Sequence, residues 1–164
     1  MSQSSTEPPT FDRASTDARH SRVPRAGIDP IDHPDPALAL IDLVRADPPR
    51  HQILAIGLDP IGCGLSCLCV DGTDDADAVV DVAALVAEHA RRRRDDGVDV
   101  RGVVLASIRP GATAELHDGV RWHFVDELLT DAGLALVEWF VIGRGPGGVT
   151  LPRHFVSAPA GWFT

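Results

Sequence analysis

Lysine, asparagine and tyrosine are absent from these 164 residues, cysteine occurs three times and methionine once. All 15 basic residues are therefore arginine, a usage that points to G+C-rich coding rather than to a chemistry. No apolar run approaches the roughly 20 residues that a helix needs to cross a bilayer, which excludes a transmembrane helix. An odd cysteine count argues against a disulfide framework. Basic charge is also scarce: 24 acidic residues give a net charge of −9 and a pI near 5.1. Such a chain is poorly suited to electrostatic capture of nucleic acid or anionic lipid. What is present is ordinary for a globular protein, with 44% hydrophobic and 24% charged residues, and the length fits one domain.

The first 34 residues hold five prolines, many Ser, Thr and Asp, and only Phe11, Val23, Ile28 and Ile31 as large apolar groups after the initiator. They have no basic segment followed by an apolar one, as a secretory signal would. The expectation is a disordered tail over 1–34 and a cytoplasmic protein. A folded domain is expected over 35–152, followed by an aromatic segment over 153–164. Asp35-Pro36 opens a helix as N-cap and first position, with Ala37, Leu40, Ile41 and Val44 at helical spacing. The runs His51–Leu58 and Ser66–Val70 flank Pro60, Gly62 and Gly64 and predict two antiparallel strands. Thr73 is expected to cap the next helix. Its first turn holds Asp74, Asp75 and Asp77, its last turn Arg91 to Arg94, and its apolar face Val79, Val82, Ala83, Val86 and Ala90.

Gly102–Ser107 predicts a buried strand ended by Arg109-Pro110-Gly111. A helix then starts near Asp118, with Trp122, Val125, Leu129 and Ala132 on one side, Arg121 and Glu127 facing water, and Gly133 closing it. Leu134–Ile142 is a further strand, parallel to the previous one because a helix connects them. Gly143 to Gly148 makes a turn into a last strand, Val149–Leu151. A glycine-rich loop that enters a strand lacks the helix N-terminus on which phosphate sites are built. The order predicts an α/β domain, a mixed sheet flanked by helices.

The stretch from Gly102 to Leu151 resembles the JAB/MPN metalloprotease domains, in particular the RadC-like branch. Val103–Pro110 stands where that family has a strand running into a His-x-His-Pro loop. Gly133-Leu-Ala-Leu-Val-Glu138-Trp139-Phe-Val-Ile-Gly143 resembles its Gly-Ile-x-Val-x-Asp-His-x-Ile-Ile-Gly strand. With Val70-Asp-Gly72-Thr73 and the helix after it, the likeness spans roughly residues 50 to 152 and implies the layered JAB/MPN fold. It also implies a zinc site of two histidines and an aspartate, with a glutamate as general base. At the histidine positions stand Ser107 and Arg109, the aspartate falls on Asp118, and Ile61–Val70 contains no acid. An unactivated serine hydroxyl is a weak ligand, and arginine has no lone pair to give. The resemblance therefore implies a pseudoenzyme with no metal or other cofactor and a vestigial pocket of Ser107, Arg109, Pro110 and Asp118. Asp118 reads first as a helix N-cap, with a remnant ligand as the alternative. Arg109 has two readings, a guanidinium paired with Asp118 across the vacated pocket or an exposed loop arginine.

Other constellations have plainer readings. Cys67 and Cys69 share a strand face and, with Cys63, are expected to pack as small apolar groups rather than to bind metal. His117, Asp118 and His123 do not have the i, i+4 spacing of a helical metal site. Arg91–Arg94 ends a helix and is followed by Asp95, Asp96 and Asp99, so it reads as a solvated helix end. Trp139, Phe155, Trp162 and Phe163 are the aromatic candidates for an interface, with core packing as the other reading. The expected function is a protein-binding or scaffold module with a protein partner or as a homodimer. The alternative is a hydrolase, metal-dependent with a non-standard ligand set, or a cysteine-dependent enzyme.

Overall fold

A computed structural model of the chain describes residues 22–112, 114–143 and 148–163. The elements run α1 (Pro34–Val44), β1 (Gln52–Leu58), β2 (Gly64–Asp71), α2 (Ala78–Asp95), β3 (Gly102–Ile108), α3 (Asp118–Asp131), β4 (Ala135–Ile142), β5 (Val149–Thr150) and a 3-10 turn (Pro152–Phe155). The strands form one mixed sheet in the order β2-β1-β3-β4-β5. β1 is antiparallel to both β2 and β3, β3 is parallel to β4, and β5 is antiparallel to β4. The α/β class and the element order are those the sequence predicts.

Every residue of β1 and β3 is buried, because both faces of the sheet are covered. That is why these strands read as continuous apolar runs rather than alternating ones. Ile53, Ala55, Val103, Leu105, Trp139 and Val141 face α2 and α3, where Val82, Val86, Trp122 and Leu129 meet them. Leu54, Ile56, Val104, Ala106, Phe140 and Ile142 face the other way, toward Ala37 and Ile41 of α1 and toward Trp162 and Phe163. The result is three layers.

The packed chain begins earlier than Asp35. Ile31 is buried, its N–H donates to the Gly62 carbonyl at 2.9 Å, and the Gly27 N–H donates to that of Gly64 at 3.0 Å. A sparse apolar composition cannot form its own core, but a single isoleucine can complete one already built. The expected disordered span of 1–34 is therefore too long at its C-terminal end, and residues 1–21 lie outside the described residues. The aromatic tail is likewise part of the fold: Gly161 donates to the Val137 carbonyl at 3.0 Å, and Trp162 packs on Phe140 with ring centroids 6.5 Å apart.

Helix starts differ from expectation. α1 has His33 at its N-cap, with Pro34 and Pro36 in its first turn, and Val44 is exposed. α2 begins at Ala78, so Thr73 does not cap it; Asp75 instead accepts the Asp77 N–H at 2.9 Å in the turn before. Gly133 ends α3 with φ +74°, a conformation glycine adopts without steric cost. Of the turn expected over Gly143–Gly148, the ends are joined by a 2.7 Å hydrogen bond from Gly143 N–H to the Gly148 carbonyl, and residues 144–147 lie outside the described residues.

The two faces give parallel tests. Leu129→Ala and Ile31→Ala should each lower stability by about 2 to 5 kcal/mol, as truncation of buried aliphatic side chains does. Urea unfolding midpoints should shift at unchanged m. A neutral Ile31→Ala would show that the segment before α1 contributes nothing to the core.

Candidate functional site

The end of β3 and the start of α3 meet on the α2/α3 face of the sheet. Arg109 follows β3 directly, and its N–H donates to the Ile142 carbonyl at 2.8 Å, so parallel pairing with β4 carries register into the loop. The Ala112 N–H then donates to the Arg109 carbonyl at 3.1 Å, with Gly111 at φ +80°. A Cβ on Gly143 would collide with the Ala112 carbonyl, so the end of β4 admits this turn only as glycine. The turn aims Arg109 back under the first residue of α3.

There the guanidinium lies flat on a carboxylate. Arg109 Nη1 donates to Asp118 Oδ2 at 2.8 Å and Nη2 to Oδ1 at 2.9 Å, a two-pronged pair. Both partners are buried, Asp118 fully and Arg109 with 6% of its surface exposed. Arg121, one helical turn on, adds a bond to Asp118 Oδ1 at 3.0 Å, and the Glu115 N–H donates to Oδ2 at 2.7 Å. Arg121 is itself held by Glu115 at 2.9 Å and by Asp77, before α2, at 2.6 Å. Burial alone would raise the Asp118 carboxyl, but Arg109, the Glu115 N–H and Arg121 outweigh it and hold it below the usual carboxylate range.

Ser107 is buried one pleat back, and its hydroxyl accepts the indole N–H of Trp139 at 3.0 Å. The structure thus brings Ser107, Arg109 and Asp118 together, with half-buried Pro110 in the adjoining turn. Asp118 is not a helix cap: His117 is the N-cap, and both Asp118 oxygens are engaged by guanidinium groups and an N–H upstream of the helix. Of the two readings of Arg109, the paired one holds. Arg121 does not face water as expected, and its i, i+3 spacing to Asp118 is the sequence signal that could have shown this. Asp77, 44 residues away, gives no local signal.

These groups do not fit a zinc ion. The Ser107 oxygen is turned to an indole, Arg109 offers only donors, and the Asp118 lone pairs are already engaged. His117 and His123 are exposed, and among the described residues no three His, Cys, Asp or Glu side chains converge as a metal site would require.

The remaining candidates divide. Trp139 is fully buried and cannot form an interface, because its large ring fills the core above Ser107. Phe155 is exposed, while Trp162 and Phe163 are half-buried against the α1 face. Cys63 is buried as expected, but Cys67 and Cys69 are exposed, because α1 stops short of the outermost strand. Arg92 pairs with Glu88 at 3.0 Å, and Arg94 donates to the Ala132 carbonyl at 3.1 Å, closing the end of α3. A second buried ion pair has no signature in the local sequence: Arg153 Nε donates to the buried Glu138 at 2.7 Å. Burial pushes the Glu138 carboxyl up by more than Arg153 and the Trp139 N–H pull it down.

No family model matches the chain, and no curated protein matches it in sequence.

Asp118→Asn leaves two guanidinium groups facing a neutral amide and should cost about 3 to 5 kcal/mol, as removal of one partner from a buried pair does. The pH dependence has a definite sign. A carboxyl held below its ordinary pKa of about 3.9 contributes fully above that value, and the contribution is lost as the pH falls through the lower folded one. Urea unfolding between about pH 6 and pH 2 should show that loss, and Asp118→Asn should flatten it. An unchanged acid limb in the variant would show that other carboxylates govern it.

Proposed function

We propose that the domain is a JAB/RadC-like pseudoenzyme, working in the cytoplasm as a protein-binding or scaffold module without a nucleic-acid partner. One observation carries the reading: the Arg109 guanidinium lies on Asp118 where the resemblance assigns a metal ion. A permanent cation there takes up the carboxylate that would bind zinc and cannot itself bind it. The chain order of hairpin, helix, strand, helix and strand, and the convergence of Ser107, Arg109 and Asp118, support the resemblance. For a binding role, Leu116, just before α3, and Val120 and Phe124 on it are exposed apolar side chains, as is Phe155. Against nucleic acid, Arg91 and Arg92 face Glu88, and Arg94 is turned onto a carbonyl. Among the described residues no helix is long and apolar enough to cross a membrane.

Elemental analysis of the purified protein should find no stoichiometric zinc, and isopeptide and peptide substrates should survive incubation with it. Ser107→His/Arg109→His should gain zinc affinity if Asp118 occupies the third ligand position, and adding Asp118→Ala should abolish it. One zinc per wild-type chain would overturn the pseudoenzyme reading. A double variant that binds none would overturn the alignment to the JAB/MPN pattern.

A further inference from the structure

The two edges of the sheet are finished differently. β4 is covered by β5 at Val141 and Ile142 and by Gly161 at Val137. β2 is the other edge, and no described strand pairs with its outer side. The segment before α1 hydrogen-bonds to its start, through Gly27 to Gly64 and a bridge of Pro30 with Cys63, and its Pro24, Arg25 and Ala26 line a groove with Ser66 and Cys67. The bond from Gly72 N–H to the His51 carbonyl fixes the alternation of the β1–β2 ladder. Ser66, Leu68 and Val70 direct their backbone groups to β1, and Cys67, Cys69 and Asp71 aim theirs outward. Edge strands are usually blunted by charge, proline or a bulge. β2 has a bulge at Leu65, but beyond it Cys67–Val70 carries neither charge nor proline, and Asp71 is already paired with Arg50 at 2.7 Å.

We propose that the outer edge of β2 pairs antiparallel with the same strand of a second copy of this chain, joining two sheets into one of ten strands. Three features select a second copy. The free edge, 67–71, is bounded by the covered Gly64 and by the turn at Gly72, and it maps onto itself when centred on Cys69. That register sets Cys69 opposite its own copy and Cys67 opposite the copy's Asp71, with every outward backbone group paired. The second feature is an apolar groove of about 240 Å³ between β2 and α2, lined by Leu68, Leu85, His89 and Arg92. Half-exposed Leu85 stands beside the edge and would be covered by the copy. The third is charge. α2 carries Asp81 in its first turn and, in its last, Arg93 and the groove-lining Arg92, which also pairs with Glu88 of its own helix. A two-fold axis through the sheet runs the two α2 helices antiparallel, acidic end toward basic end. With β1 and its copy three strand spacings apart, about 14 Å, the helices above them come close to packing distance.

This deepens the binding-module reading and rests on it, but its test does not involve zinc. Sedimentation of the full chain from about 1 to 100 μM should show a dimer. Cys69→Lys changes an exposed side chain and sets two lysines against each other, so it should raise the dimer Kd at least tenfold. Val120→Lys, at an exposed apolar position of α3, should leave the dimer intact. A short bismaleimide should couple two chains of Cys67→Ser, through Cys69, and should fail with Cys69→Ser, a readout that holds even if Cys69→Lys does not fold. A monomer throughout, a dimer dissociated by Val120→Lys, or coupling that persists in Cys69→Ser overturns the proposal.

Discussion

Two charges removed from water are tolerated in a core only when each satisfies the other, and the pairing of Arg109 with Asp118 meets that condition in full. It sits where the chain leaves β3 and returns as α3 over the sheet. β3 delivers the guanidinium, α3 delivers the carboxylate, and their separation is fixed at hydrogen-bond length. Arg121 and Asp77 extend the cluster to the approach of α2, so three segments on one face converge on Asp118. A purely apolar junction would stabilise the layer without fixing where along the sheet α3 begins. The ion cluster fixes it, because displacement of α3 by one residue would leave a buried carboxylate without its fork.

The same geometry separates this site from a metal-binding one. Metal chemistry needs lone pairs converging on an open position, whereas here donors converge on the buried Asp118 carboxylate. Ser107 of β3, two residues before Arg109, has its hydroxyl taken up by the Trp139 indole in a neutral hydrogen bond. Arginine and aspartate thus serve as a permanent internal counterpart to a bound cation. In the pseudoenzyme proposal, the Arg109 guanidinium supplies beside Asp118 the positive charge that a metal ion would supply.

Much of the architecture was legible because the strands and helices announce themselves through period and punctuation. β1, β3 and β4 are buried runs bounded by glycine or proline, and α2 and α3 carry their apolar positions at helical spacing. What the sequence hid depends on third parties. Ile31 looks solvent-borne until the β1–β2 hairpin offers it a seat, and Trp139 resembles a surface anchor until the Ser107 hydroxyl satisfies its indole. Cys67 and Cys69 share a face, as alternation requires, but whether that face is covered depends on how far α1 reaches. Asp118 had two local readings, cap and remnant ligand, and neither described its fate; the pairing that does was legible only from Arg109, nine residues upstream.

The treatment of the sheet edges is set by the order of the strands. Placing β3 and β4 in the interior leaves the hairpin strand β2 on one side and the C-terminal strand β5 on the other. β5 is only two residues long, so the rest of the β4 edge must be covered by the C-terminal tail, which does this with Gly161 while burying Trp162 and Phe163. Glu138 and Arg153 pin that tail beside β4. The price is a carboxyl whose charged form is disfavoured by burial, so its sign is opposite to that of Asp118: stability falls as the pH rises through its ordinary value and its higher folded one. The chain after β2 turns at once into the approach to α2 and has no residues left with which to cover its own edge. Closure on that side has to come from another segment or another chain, and the self-matching stretch around Cys69, whose one charge at Asp71 is paired with Arg50, suits it to a copy of itself.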